Sequence, residues 1–383
     1  MNPRNSPPAR FVYSLAVSSA LRSSSPRLGR PRARLWLAAC LVTVLLALMT
    51  HALPAIRARS LPTGEAQWIW KPLDNLDHNP TAFYAIRDFD LVSPPDRARL
   101  LVTADEEYVL TLNGKRIGAG AFEPGAPLDV YEVGPLLLPG GNRLMMELRS
   151  GRGAGGLLAS LMDEATGRQI VGTDEDWRIF PHHELGLVRG WLPLRGGQPA
   201  FRWGYPPIGR WGGQKAGSPR PLLGEAVGPR LPAVAMRPLS LPASLGNGHS
   251  PGSPILYDWG RTVEGFLTLE LPAGKDQSPA LLFAGEEPPD PLTARPTAAV
   301  LIMPGRRDWM DARPRRFRYA LLVGLEGPAA ALVQPVPAGT VHVPRPLADR
   351  VFGFKGPPLR TPVEDEVWSK LQSFPGVAGR KEL

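Results

Sequence analysis

Several places along the chain carry residue types that could do chemistry. Gly151, Gly153 and Gly156 in GRGAGG spell a GxGxxG pattern, with Asp174 downstream. A dinucleotide site needs a helix opening directly after such glycines, so that its first N–H groups face a pyrophosphate. The residues that follow, LLASLMDEATGRQIV, break for a turn too soon, and the pattern reads as a tight loop between two antiparallel strands. Gly248-His249-Ser250-Pro251-Gly252 matches GxSxG, but SLGN ahead of it is not the buried strand a nucleophile elbow requires. His182-His183-Glu184 would send alternate side chains to opposite faces of a strand, and neither HExxH nor a cysteine pair accompanies it. It reads as a polar module edge. The adjacent acids Glu106-Glu107 and Glu286-Glu287 cannot face each other across a glycosidic bond by adjacency alone, and read as solvated strand ends. Arg380-Lys381-Glu382-Leu383 stands one residue from an endoplasmic-reticulum retention signal and reads as coincidence. No catalytic residue is assigned.

These motifs must be positioned by a chain of 383 residues, long enough for two or three domains with cores of their own. With 41 Gly and 45 Pro, many turns and short strands are expected. The net charge of +9 is uneven: residues 1–60 hold nine Arg and no acid, leaving 35 basic and 35 acidic side chains in the rest. A nucleic-acid binder needs its basic excess on the folded surface, so nucleic acid is not an expected partner. Leu35 to Leu53 reads LWLAACLVTVLLALMTHAL, nineteen residues without a formal charge, long enough to span a bilayer as one helix. Seven Arg precede it and two follow, which places residues 1–34 in the cytoplasm as a disordered basic tail and the body outside. A signal peptide cut near Thr50-His51-Ala52 is the alternative, and would give a secreted body. Cys40, the only cysteine, lies inside this run and reads as a membrane-buried thiol, so the body holds no disulfide.

From about residue 65 the pattern becomes short apolar runs broken by turn signals, as in an all-β sandwich. WIW (68–70), TAFYAIRDFDL (81–91) and RARLLVTAD (97–105) are the first strands. Asn113-Gly114 then supplies the two positive-φ residues of a type I′ hairpin within residues 108–120. A second hairpin is expected across Pro139 to Asn142 and a third at Ala165-Thr166-Gly167, with Trp177 closing a first module over 65–180. Between Gly190 and Pro254, 25 of 65 residues are Gly or Pro, which argues against regular structure over most of that stretch. Its Trp191, Trp203 and Trp211 imply a connector packed against its neighbours. Strands resume at 255–260, 265–274, 280–287, 316–327 and 330–336, giving a second, smaller β-sandwich over 255–345. A capping box with Pro at the first helical position starts an amphipathic helix over 361–374.

The runs WIW, AFYAIRDFDL, RARLLVTADEEYVLTLNGKRIGAG, YEVGPLLLPGGNRLMMELRSG and DWR resemble the N-terminal accessory β-sandwich of bacterial α-L-rhamnosidases, a galactose-binding-like jelly roll. ILYDWGRTVEGFLTLELPAG, LLFAGEE and RRFRYALLVG are similar to the next sandwich of those enzymes, so the resemblance spans roughly residues 66–335. In that family the catalytic carboxylates lie in a following helical barrel, of which VEDEVWSKL resembles the first helix. The resemblance therefore implies binding of a polysaccharide or glycoconjugate without catalysis, in some relatives with calcium. Sugar sites place aromatic faces and planar polar groups on loops at one sheet edge. Trp70, Asp105, Glu106, Asp129, Tyr131 and Arg152, at strand ends or loops, are the candidates. A split glycosidase acting with a partner chain and a structural envelope module are the alternatives.

Overall fold

The computed structural model describes residues 35–49, 61–72, 79–212, 215–223, 229–239, 254–272, 279–290, 294–325, 327 and 329–337. The expected tail over 1–34, the GxSxG match, the helix over 361–374 and the terminal tetrapeptide lie outside them. The chain divides into two units, Met1–Leu53 and Pro54–Leu383. In the first, residues 35–49 form helix α1, in which the Thr43 hydroxyl donates to the Ala39 carbonyl at 2.9 Å. Among the described residues no helix is both long and apolar enough to cross a membrane.

The second unit opens with two facing sheets. One runs β12 (Phe201–Gly204), β1 (Trp68–Trp70), β8 (Gly156–Asp163), β3 (Ala98–Asp105), β6 (Leu128–Glu132) and β13 (Ala216–Arg220), with β9 (Gln169–Gly172) also paired to β8. The other runs β11 (Gln198–Pro199), β10 (Arg178–Phe180), β2 (Thr81–Leu91), β7 (Gly140–Ser150), β4 (Glu107–Leu112) and β5 (Lys115–Ala121). Asn113 and Gly114 take φ of 51° and 77° between β4 and β5, as a type I′ turn requires. The β8–β9 hairpin also forms where expected.

Two expected connections differ. The chain between β6 and β7 is no hairpin, because those strands belong to opposite sheets; a short 3-10 turn at Gly134–Leu136 helps carry the chain across. The glycine loop between β7 and β8 likewise passes from one sheet to the other rather than joining neighbours.

Side-chain alternation sorts the second sheet cleanly. Tyr108, Leu110, Leu144, Met146, Leu148, Phe83 and Ala85 point into the core between the sheets. The intervening Tyr84, Ile86, Met145 and Val109 are buried as well, against Met303, Phe266 and Met310 from later in the chain. That is why this sheet reads as apolar on both faces.

Phe266 and Met310 belong to, and Met303 lies in a connection of, an eight-stranded sheet ordered β14 (Leu231–Pro232), β21 (Ala330–Pro335), β16 (Ile255–Glu270), β20 (Arg315–Val323), β17 (Ala280–Gly285) and β18 (Ala298–Val300). Strands β15 (Ala235–Pro238) and β19 (Asp308–Met310) also pair with β16. The segments expected as two strands from 255 to 274 are one 16-residue strand, β16, whose pairing register breaks between Asp258 and Val263 beside Gly260 at φ 71°. The bend lets one sheet curl around a single core holding Tyr257, Leu267, Trp309 and Phe317. The sandwich-like second module is therefore one continuous sheet.

The Gly/Pro-rich stretch also departs from expectation, for it carries β11 to β15. Runs of two to five residues at sheet edges tolerate Pro where a central strand would not. Trp211 of this stretch stacks on Trp68, ring centroids 4.4 Å apart.

Candidate functional site

Val109 of β4 and Met145, Glu147 and Arg149 of β7 face the second module, and with them comes charge. Arg149 is 1% exposed; its Nε donates to Glu147 Oε1 at 3.0 Å, its Nη2 to the Met310 carbonyl at 2.7 Å, and its guanidinium lies 5.1 Å from the Trp309 ring centre. Arg306 reaches back from the second module to Glu147 and to the Tyr84 hydroxyl, while Arg116 binds Asp308 at 2.7 Å. Burial works to raise the Glu147 carboxyl, but Arg306 and Arg149 hold it below the usual carboxylate range. His183 closes one side, its Nδ1 2.7 Å from the Tyr84 hydroxyl and its N–H bonded to the Pro304 carbonyl. The expected polar edge at His182-His183-Glu184 is thus partly a contact between modules.

Beside this contact the two modules leave a cleft of about 1250 Å³. Strands β4, β5 and β6, the loop after β5 and the glycine loop line one side; residues of β17, β18 and β20 and the 312–314 segment line the other. Arginine–carboxylate pairs recur along it. Glu106 accepts from the Gly151 N–H at 2.6 Å and pairs with Arg152 at 3.1 Å. Asp129 accepts from the Tyr108 hydroxyl at 2.5 Å and pairs with Arg220 at 2.6 Å. Arg313 pairs with Glu123 at 2.6 Å across the module boundary. Arg152, Arg220 and Arg313 stay partly exposed and present donors to solvent, with acceptors beside them on the partly exposed Glu106 and Glu123, whereas Asp129 is largely covered. Burial pushes the Asp129 carboxyl up, opposed by Arg220 and by the Tyr108 hydrogen bond.

Glycines make room for this wall. A Cβ on Gly118 would stand 2.4 Å from the Tyr131 ring, and one on Gly120 would stand 2.3 Å from the Asp129 carboxylate. The glycine loop is held from behind by indoles: Trp70 Nε1 donates to the Gly153 carbonyl and Trp203 Nε1 to the Gly155 carbonyl, each at 3.0 Å.

Of the six sequence candidates, Asp105, Glu106, Asp129, Tyr131 and Arg152 line the cleft. Their roles divide. Glu106 and Arg152 are accessible; Asp105 is buried, accepting from Trp211 Nε1 at 2.7 Å, and Tyr131 is a core residue whose hydroxyl burial pushes up to about 12. Trp70 is fully buried and supports the loop from inside rather than offering a ring to a ligand. Glu107, expected as a solvated strand end, is mostly enclosed beside Arg149 at 3.6 Å, and burial pushes its carboxyl up to about 7 against the pull of Arg149. Glu286 fits the solvated reading, half exposed with Arg316 at 2.9 Å. Among the described residues no three His, Cys, Asp or Glu gather as a metal site.

No family profile and no curated protein matches the chain. Among solved structures it is similar to the α-L-rhamnosidase from Dictyoglumus thermophilum, with 17% identity over 69% of this chain and 34% of that one and a TM-score of 0.45. The α-L-rhamnosidase from Aspergillus terreus also matches, at 17% identity over 70% of this chain and 36% of that one, TM-score 0.46. The lectin from Pleurotus ostreatus, solved in complex with GalNAc, matches over 71% of this chain and 77% of its own at 15% identity, TM-score 0.35. The chain spans about a third of the length of the rhamnosidases it matches.

Proposed function

We propose that the protein binds carbohydrate in the cleft between its two β modules and does not itself catalyse glycoside cleavage. One observation carries this reading: Glu106–Arg152, Asp129–Arg220 and Glu123–Arg313 are ion pairs held by the fold along one cleft, each with a partly open arginine. Neighbouring hydroxyls of a sugar need a donor and an acceptor side by side, and a fixed guanidinium–carboxylate pair supplies both. The same pairing counts against catalysis, because an acid and a second carboxylate must stand free on opposite sides of the bond. The residue runs that resemble rhamnosidase accessory sandwiches point to the same ligand class. A glycan array probed with the full chain tests it: binding to defined sugars that Arg152→Ala weakens at least tenfold is expected, and no binding to any glycan overturns the reading.

A second reading rests on Glu107, whose carboxyl near 7 inside the cleft has the protonation of a general acid. In that reading the chain works as part of a glycosidase with a partner. Turnover of aryl glycosides abolished by Glu107→Gln would favour it.

We further propose that residues 35–53 hold the chain at a membrane, with residues 1–34 cytoplasmic and the β body outside. The uncharged run, its Arg asymmetry and the internal bond of Thr43 support this. A reporter fused after Leu383 that is active only in the cytoplasm would reverse the orientation.

A further inference from the structure

Strand β12 carries a feature the cleft does not use. It is the edge strand of its sheet, and Phe201 and Trp203, two residues apart on it, remain 43% and 37% exposed. Their rings meet edge to face with centroids 5.1 Å apart. Trp203 is also fixed from behind. Its indole N–H is bonded to the Gly155 carbonyl, and its ring abuts Trp211, which is itself stacked on Trp68.

A rigid aromatic pair left in water on an edge strand fits a partner that is apolar on one face and polar around its rim. A pyranose has that form: its C–H face lies flat on a ring while its hydroxyls point outward. Arg202, between the two aromatics in sequence, is directed to the opposite face of the strand and pairs there with Glu175 at 2.9 Å, so the aromatic pair stands without it.

The platform is tied to the cleft by a short piece of backbone. Gly155, which holds Trp203, is four residues from Gly151, which holds Glu106 in the cleft. Four residues reach at most about 14 Å.

We propose that Phe201 and Trp203 form an aromatic subsite continuous with the cleft across the glycine loop, so that the ligand is an oligosaccharide or polysaccharide chain and not a single sugar. This rests on the carbohydrate reading of the cleft.

Native gels containing rhamnogalacturonan, gum arabic or dextran, run with the full chain, test it. Retardation of the wild type by at least one polymer is expected, and the Phe201→Ala/Trp203→Ala variant should bind that polymer at least tenfold more weakly. Titration of the wild type and Phe201→Ala with the polymer's constituent monosaccharide should give the same affinity, within about twofold, because that substitution leaves in place the Trp203–Gly155 bond behind the glycine loop of the cleft. Phe201→Ala alone, at an exposed edge position, should weaken polymer binding about threefold or more with an unchanged unfolding midpoint, which separates loss of the subsite from misfolding. Polymer binding unaffected by both variants overturns the platform and leaves the cleft standing. A wild type that none of the polymers retards and no constituent monosaccharide binds overturns the cleft reading and the platform with it.

Discussion

Glu107 shows how a single carboxyl is set by what docks on it. Burial against the second module outweighs the pull of Arg149 and raises the group from 4.5 to about 7. The folded state therefore binds a proton that the unfolded chain releases between those values. Its slope is negative: stability rises as pH falls from about 7 toward 4.5. The full effect is about 3 kcal/mol at 1.36 kcal/mol per unit. Asp308 and Glu147, held low by their arginines, lose their contributions only in stronger acid. Denaturant titrations at pH 7.5 and 5 should show the gain, and Glu107→Gln should remove most of the difference; equal pH dependence in both proteins would contradict the assignment. Glu106 and Arg152 could be picked out in sequence because charged residues at strand ends and in a glycine loop reach solvent. Trp70 and Tyr131 could not be separated from binding residues that way, since an aromatic at a strand end serves a core or a ligand equally well.

At the scale of the element, turn chemistry was the most readable part. Asn113-Gly114 places its hairpin because only such residues accept positive φ twice in succession. The Asn113 side chain adds bonds to the Leu136 carbonyl and from the Arg143 N–H. Gly114→Ala has room for its Cβ, 3.5 Å from the nearest atom, so its cost is that of the left-handed backbone, about 1–2 kcal/mol. Chemical denaturation should show that loss, with Gly141→Ala, whose φ is not positive and whose Cβ meets an atom at 3.6 Å, as a milder control. The strands β2 and β21 could be read from apolar pattern alone. The assignment of β7 and β8 to opposite sheets could not, because local pattern specifies a strand and its faces but not which neighbour it pairs with. The continuity of β16 was hidden by Gly260, which looks like a stop and acts as a bend.

For the body as a whole, the cleft exists only because two modules meet, and its second wall comes from residues within 266–337, more than a hundred positions beyond the 103–152 part of the first. No local pattern marks Arg149 or Arg313 as partners in advance. The contact is held by buried charge, so it should fail sharply: Arg306→Met removes a guanidinium from Glu147 and Tyr84. A loss of about 3–5 kcal/mol is expected, as for breaking one side of a buried pair. Calorimetry should show one unfolding transition for the wild type and two for the variant, and the same transition in both would mean that apolar packing alone holds the modules. The short strands of the Gly/Pro stretch bear on a different matter, that of portability. β13 pairs in parallel with β6, β12 edges the sheet at β1, and Trp211 caps Trp68 and Asp105. A segment cut after Phe180 and grafted into another host would leave three sheet borders bare, at β10, β1 and β6, and Trp68 uncovered. The smallest piece that could be exchanged between proteins as a self-sufficient cassette therefore runs on at least through Arg220, so recombination that kept this sandwich intact would have to break the chain late in the glycine- and proline-rich stretch and not at its start.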